Sequence, residues 1–250
     1  MRNVKLSIVI PILNEQKNLI NLKKQIEKNL TNILYEVIFV DDNSTDNSHK
    51  IIKSIVKKNK RFKCIFLKNK KRDLSKSVIV GAKTAQSKLV AVMDGDLQHS
   101  PKDLLNIYLE FEMSLKMDII VGCRNLSYSN KSTQMSYLRL TASKILIFII
   151  KLLLGSKTSD PMSGFFIFKK NLLNFRSNFY ASGFKILMDL IYCSKKKIKV
   201  KDYSIKFRYR KAEYSKMNSK ILFHVILSIM HKFFKKILNI QKINSNISNN

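Results

Sequence analysis

Asp94 and Asp96 flank a single glycine in the run Met93-Asp94-Gly95-Asp96-Leu97-Gln98-His99, which follows the apolar stretch 89–92. A short apolar run of this kind reads as a buried strand. In a strand that continued, both carboxylates would be buried on one face with it. At a strand end, with Gly95 letting the backbone turn, they can converge on one cation. Gln98 adds a neutral oxygen. Two carboxylates and an amide suit a hard divalent ion, Mg²⁺ or Mn²⁺, of the kind that shares its coordination with substrate phosphates. The competing reading of the same residues is a capped strand-to-helix loop with solvated acids. A second acidic pair, Asp41-Asp42, ends the run 35–40 and reads either as a helix cap or as a ligand contact. His99 reads as a loop stabiliser rather than a ligand. Asp160 reads as the residue that fixes a turn, and Asp189 as a sugar contact or the cap of a polar network.

These residues need a scaffold that brings distant strand ends together. Apolar runs at 6–11, 35–40, 64–67, 89–93 and 118–122 alternate with amphipathic stretches. The first stretch carries Leu19, Leu22, Ile26 and Leu30; the second carries Ile51, Ile52, Ile55 and Val56 behind the acidic turn 41–46. Further helices are expected at 76–86 and 101–115, the latter with Ser100 at its cap and Pro101 at its first position. This spacing predicts an α/β domain with a doubly wound, mainly parallel sheet. Ligands of such sheets sit at the carboxyl ends of the strands, where residues 11–15, 41–42, 94–98 and Arg124 all fall. Beyond residue 126 the pattern gives a long apolar helix at 135–154, a turn-rich loop at 160–165, strand character at 165–168, a helix at 183–192 and a strand at 199–209. A last helix at 220–238 has two apolar rows and a basic far side, and the tail after Ile243 is rich in Asn and Ser.

The chain has 250 residues and a net charge of +30, with 47 basic against 17 acidic side chains. Such a charge implies an anionic partner: nucleic acid, a membrane surface or a phosphorylated substrate. Part of it follows from a composition rich in Lys, Asn and Ile throughout. Cys64, Cys123 and Cys193 show no metal or redox spacing and read as buried thiols in a reducing compartment. The early apolar run contains Pro11 and is strand-like, so no leader peptide is expected. No stretch is long and uncharged enough to span a membrane. Neither Gly-x-Gly-x-x-Gly nor a Walker loop occurs, which disfavours dinucleotide and P-loop binding.

Taken in order, Ile10-Pro11 with Asn14-Glu15, Val40-Asp41-Asp42-Asn43-Ser44, Met93 to His99, Gly122-Cys123-Arg124, Ser163-Gly164-Phe165 and the stretch 210–216 resemble the inverting GT-A glycosyltransferases of family 2. Within that family they are most like the polyprenol-phosphate sugar transferases of the dolichol-phosphate mannose synthase type. The resemblance covers about residues 5–217. It implies a nucleotide-diphospho-sugar donor and a polyprenyl phosphate acceptor. By position, Pro11, Leu13, Glu15, Val40 and Asp42 line the nucleoside pocket. Met93, Asp94, Gly95, Asp96 and Gln98 match the metal and diphosphate site. Arg124 matches an arginine near the sugar and phosphates. Arg139 and Ser143, one helical turn apart, match the clamp on the acceptor phosphate, and Arg210 and Lys216 match a loop that closes over the diphosphates. Leu13 stands where the family commonly has an aromatic residue. The family's glycine-rich stretch before the fourth strand is here Arg72-Asp73-Leu74-Ser75-Lys76.

A nucleoside diphosphate leaves readily once a cation and basic side chains take up its developing charge. A phosphate monoester is already ionised at neutral pH and needs no general base, so Asp96, Arg124, Arg139 and Ser143 are the expected catalytic set and no base is assigned. Inversion at the sugar carbon is implied by the resemblance. The expected organisation is a catalytic domain at 1–217, an amphipathic helix at 218–242 touching an anionic membrane surface, and a disordered tail at 243–250. The expected location is cytoplasmic, peripheral to the inner face of the membrane, with no nucleic-acid partner. Three alternatives stand beside this reading: a family 2 transferase with a carbohydrate hydroxyl acceptor, an inactive nucleotide-binding partner subunit, and a basic nucleic-acid-binding protein. The last predicts basic and aromatic residues interleaved on one face and has no use for acidic strand ends.

Overall fold

A computed structural model describes residues 3–68, 73–114, 116–124, 137–173, 186–192 and 197–205. Its strands are β1 (Leu6–Ile12), β2 (Tyr35–Asp41), β3 (Phe62–Phe66), β4 (Leu89–Val92), β5 (Ile119–Arg124), β6 (Phe166–Lys169) and β7 (Val200–Ile205). Its helices are α1 (Leu19–Asn29), α2 (Ser48–Lys58), α3 (Leu74–Thr84), α4 (Pro101–Met113), α5 (Tyr137–Leu154) and α6 (Ile186–Tyr192), with a 3₁₀ turn at Lys170–Leu173. The sheet runs β3-β2-β1-β4-β6-β5-β7. All described pairings are parallel except the two made by β6, which is antiparallel to β4 and β5. The doubly wound, mainly parallel sheet read from the sequence is therefore present, with one reversed strand in it.

Both faces of the sheet are covered, which is why its strands are continuous apolar runs rather than alternating ones. Successive side chains still point to opposite faces. Ile8, Ile10, Val37 and Phe39 pack with Leu22, Ile26, Ile52, Ile55, Leu104 and Phe111 of α1, α2 and α4. Val9, Val40, Val90 and Phe166 pack with Val78 and Ala82 of α3 and Leu187 and Leu190 of α6 on the other face. Gly81 lets α3 lie close: a Cβ there would stand 2.5 Å from Val9 Cγ1.

Strand β1 does not stop at its proline but runs on to Ile12. The Val9 carbonyl accepts Met93 N–H on the β4 side, and the Ile12 carbonyl accepts Asp42 N–H on the β2 side. Alternation then points the Pro11 nitrogen toward β4, whose pairing with β1 ends at Val92, so the missing N–H costs no ladder bond. Helix α3 begins two residues before the expected 76, because Asp73 is its cap and accepts Lys76 N–H. Helix α4 starts as expected, with Ser100 accepting Lys102 N–H and Pro101 in the first turn. Helix α2 differs: Asn47 occupies its cap position, and Asp46 accepts Ser48 N–H. Cys123 is buried, whereas Cys64 is only half-buried, because β3 lies at the sheet edge.

Among the side chains described on α5, Leu146, Ile147, Ile150 and Leu154 pack against Met162 and Met188. Ile145, Phe148, Ile149 and Leu152 face outward, Phe148 65% and Leu152 70% exposed. Among the described residues no helix is long and apolar enough to cross a membrane.

Candidate active site

Two loops at the carboxyl ends of β1 and β2 are laced together. Asn14 N–H donates to Ser44 Oγ at 2.9 Å and Asn14 Oδ1 accepts Thr45 N–H at 2.8 Å. Glu15 N–H donates to Ser48 Oγ at 2.8 Å, and Gln16 N–H to Asp46 Oδ2 at 3.1 Å. Asn14 and Asn43 take left-handed backbone, φ 56° and 62°, which asparagine tolerates. Glu15 and Asp42 are buried here. Glu15 Oε2 accepts from Asn18 Nδ2 at 2.8 Å, and Asp42 Oδ2 from Asp73 N–H at 2.6 Å. Asp42 is thus no cap on α2; it fastens the start of α3. Pro11 and Val40 are register partners and buried, and Leu13 is half-buried at the mouth of the same loops.

The loop after β4 turns through Gly95 and Asp96 as the sequence implied, but its left-handed residue is Leu97, φ 64°. Gly95 is needed for space: a Cβ there would stand 2.8 Å from Ile12 Cδ1. A non-glycine residue in this region is strained by roughly 1–2 kcal/mol, and such strain gathers at functional loops. Asp96 is 3% exposed and its Oδ1 accepts Gln98 N–H at 3.1 Å. The Asp94 side chain is 39% exposed. His99 lies beneath the loop, stacked on Phe165 with ring centroids 4.7 Å apart and 8° between planes. Its Nδ1 accepts Asp94 N–H at 3.3 Å. Burial holds its pKa below the ordinary histidine value, against the pull of Asp94 and Asp96. A neutral imidazole that accepts at Nδ1 carries its proton on Nε2, and His99 stabilises the loop as expected.

Arg124, at the end of β5, makes a bidentate pair with Asp160: Nε to Oδ2 at 2.7 Å and Nη2 to Oδ1 at 3.0 Å. Asp160 is buried. Burial of Arg124 lowers its pKa, and the bonds to Asp160 with the nearby charge of Asp94 more than restore it, so the net shift is upward. The glycine motifs at 122 and 164 form one device with this pair. Ser163 Oγ donates to the Gly122 carbonyl at 2.8 Å, and Gly122 N–H donates to the Phe165 carbonyl at 2.8 Å. A Cβ on Gly122 would meet Phe165 Cδ1 at 2.6 Å, and one on Gly164 would meet Asp94 Oδ2 at 2.9 Å. Gly122 is therefore required by close approach, and Gly164 leaves the flank of Asp94 clear.

Asp94, Asp96, Arg124 and Asp160 all act electrostatically on His99; the sheet has gathered the predicted acids and the predicted arginine. Asp160 fixes a turn as expected, its carbonyl accepting Ser163 N–H at 3.1 Å, and its carboxylate is also the partner of Arg124. Asp189 is buried on α6. Arg139 and Ser143 fall on the course of α5, but their side chains lie outside the described residues. Arg210, Lys216, the segment 218–242 and the tail 243–250 also lie outside them. Thr158 and Asp202, which support the Asp160 loop, carry no local motif that would have found them. Among the described residues no cluster of three or more His, Cys, Asp or Glu could hold a metal. Asp94, Asp96 and Gln98 offer two carboxylates and an amide oxygen, a partial donor set that suits a hard cation sharing its shell with phosphate and water.

The sequence model of glycosyl transferase family 2 matches residues 7–175, from β1 through β6. The chain belongs to that family. A dolichol-phosphate mannosyltransferase of Pyrococcus furiosus is 30% identical over 228 residues, 90% of this chain and 63% of that protein. The chain thus spans under two thirds of that relative's length. A dolichol-phosphate mannosyltransferase of Mycosarcoma maydis is 26% identical over 238 residues, 91% of this chain and 78% of that one. A solved structure of glucosyl-3-phosphoglycerate synthase from Mycobacterium tuberculosis, in complex with Mn²⁺, uridine-diphosphate-glucose and phosphoglyceric acid, superposes with a TM-score of 0.66 at 15% identity. The superposition covers 92% of this chain and 80% of that one, and the fold is the GT-A fold.

Proposed function

We propose that the chain transfers a hexose, with inversion, from a nucleotide-diphospho-sugar to a polyprenyl phosphate. The observation that carries this reading is the meeting of Asp94, Asp96 and the fixed cation Arg124 at the carboxyl ends of β4 and β5, on either side of β6, beside the laced loops after β1 and β2. The similarity to dolichol-phosphate mannosyltransferases over nine tenths of the chain supports the acceptor.

In this reading Pro11, Leu13, Glu15, Val40 and Asp42 receive the nucleoside, and Met93, Asp94, Gly95 and Asp96 face the diphosphate. Asp94, Asp96 and Gln98 would hold Mg²⁺ or Mn²⁺, which when bound neutralises the charge of the departing diphosphate. A Mn²⁺ ion accompanies the nucleotide sugar in the structurally similar synthase, which supports a divalent metal here. Arg124, held flat by Asp160, presents a permanent positive charge to the sugar-diphosphate linkage. Arg139 and Ser143 grip the acceptor phosphate and aim its oxygen. That oxygen bonds to the anomeric carbon as the bond from this carbon to the diphosphate oxygen breaks, and the nucleoside diphosphate leaves with the electron pair. The acceptor is already an anion, so no proton has to be removed. Arg210 and Lys216 cover the diphosphates.

The acceptor's tail is lipid, and the outward stripe Ile145, Phe148, Ile149 and Leu152 of α5 supports a peripheral seat on the cytoplasmic face of the membrane. The segment 218–242 adds a second amphipathic contact to the catalytic unit 1–217, followed by the tail 243–250. The test is a panel of labelled nucleotide sugars incubated with the protein, polyprenyl phosphate and Mg²⁺ or Mn²⁺, with a chelator in a parallel arm. Label extracted into organic solvent, and abolished by the chelator, is the expected result. Label transferred only to free sugar acceptors would overturn the assignment.

A further inference from the structure

The strip Thr158-Ser159-Asp160 carries the partner of Arg124, and it is itself held from a strand the sequence motifs do not include. Asp202 of β7 faces this strip with both carboxylate oxygens occupied. Thr158 Oγ1 donates to Asp202 Oδ1 at 2.5 Å, and Ser159 N–H donates to Asp202 Oδ2 at 2.7 Å. A hydroxyl has one hydrogen. With that hydrogen directed at Asp202, Thr158 Oγ1 is oriented to accept, and it accepts Asp160 N–H at 3.3 Å. The Cys123 thiol stands 3.6 Å from the same oxygen. Burial pushes that thiol up to about 11, so it keeps its hydrogen, which can go to Thr158 Oγ1 or to the Val121 carbonyl at 3.6 Å. Burial pushes the Asp202 carboxyl up, but the bonds from Thr158 and Ser159 bring it below the ordinary aspartate value, so it is an acceptor at neutral pH. Strands β5 and β7 pair with Val121 opposite Asp202 and Arg124 opposite Ile205. The contacts therefore close a ring: β5, Arg124, Asp160, Thr158, Asp202, β7 and back to β5.

We propose that Asp202, acting through Thr158 and Asp160, is a positioning residue for Arg124. This rests on the reading of Arg124 as a contact of the transferred sugar and its diphosphate. A bidentate guanidinium pair has little angular freedom, and a misplacement of about 1 Å at a reacting group costs up to about a hundredfold in rate. Asp202 lies beyond residue 175, where the family match ends, so this support comes from outside the matched segment.

The test uses the full chain and three substitutions. Thr158→Val keeps the shape and deletes the hydroxyl, Asp202→Asn removes one acceptor oxygen, and Thr158→Ser keeps the hydroxyl. One readout is the exchange rate of the Arg124 Nε–H with water, followed by ¹⁵N-resolved NMR. The other is kcat and donor KM. The expected result is that Thr158→Val and Asp202→Asn each speed Nε–H exchange about tenfold and lower kcat by about ten- to a hundredfold. Donor KM stays within about twofold, and Thr158→Ser restores both readouts. Unchanged Nε–H exchange in Thr158→Val and Asp202→Asn, or a Thr158→Ser protein as impaired as Thr158→Val, would overturn the proposal. Faster exchange with unchanged kcat would uphold the positioning and overturn the role of Arg124 in transfer, so the two failures are separable. The NMR readout works even if the wild-type protein transfers no sugar.

Discussion

The placing of Asp94 and Asp96 at one strand end was legible because its signal is local: two acids flanking a glycine after an apolar run. Replacing Asp96 by Asn is expected to lower kcat by about 10²–10³, the usual scale for one electrostatic contact to a developing charge. Steady-state kinetics with the best donor measures it, and a variant within threefold of wild type would remove Asp96 from the site. Gly164 makes a sharper case. Its neighbour is not in sequence but in space, since a Cβ there would stand 2.9 Å from Asp94 Oδ2. Gly164→Ala is expected to cost more than tenfold in turnover, because the carboxylate must move from its place. The melting temperature should change little, since the displaced group is the end of a partly exposed side chain. The same distinction explains what was missed. Arg124 stood out as a lone cation after a strand, but its partner Asp160 is 36 residues away and sits in a loop that no periodicity describes. The part Gly95 plays in the turn after β4 was misread for a related reason. Glycine signals conformational freedom or lack of space, and at Gly95 the second applies.

At the scale of elements, the strand and helix order was readable from apolar runs interrupted by amphipathic stretches. The antiparallel β6 was not, since its direction is set by where the chain emerges from the 155–165 loop. Helix α3 began early because its cap is Asp73, a signal available in the sequence. Far from the site, at the opposite ends of the strands, Glu36 joins three elements. It accepts from Ser7 Oγ at 2.6 Å, from Lys63 Nζ at 2.6 Å and from Gln86 N–H at 2.6 Å. Burial pushes its carboxyl up, but these bonds bring it below the ordinary glutamate value of 4.5. The stabilisation is therefore complete above that value and is lost as pH falls through the lower folded pKa. Glu36→Gln is expected to reduce unfolding free energy by about 2–3 kcal/mol at pH 7, the scale of a charged hydrogen-bond set that loses its acceptor. Urea unfolding from pH 7 down to pH 3 tests this. The gap should close toward the acid end, and a gap that stays constant would contradict it.

The whole molecule carries +30 charges and an outward apolar stripe on α5. The first attracts an anionic surface over about 10 Å at 0.1 M salt, and the second gives it something to hold. Binding to anionic liposomes is expected to weaken as salt rises and to fall further in Phe148→Glu/Leu152→Glu. The melting temperature of that double variant should stay close to wild type, because both side chains are already exposed. Co-sedimentation measures the binding, and an unchanged bound fraction would assign the stripe no part in it. The central claim concerns which oxygen attacks the sugar. The most direct measurement compares polyprenyl phosphate with the polyprenol of the same length, lacking phosphate, as acceptors for one labelled nucleotide sugar. Label should enter the organic phase with the phosphate alone, and its rate of entry should fall by about 10²–10³ with Asp96→Asn. Equal transfer to the bare alcohol, or transfer by Asp96→Asn within threefold of the wild-type rate, would contradict a reaction in which an anionic acceptor attacks without a base across an acid-held diphosphate.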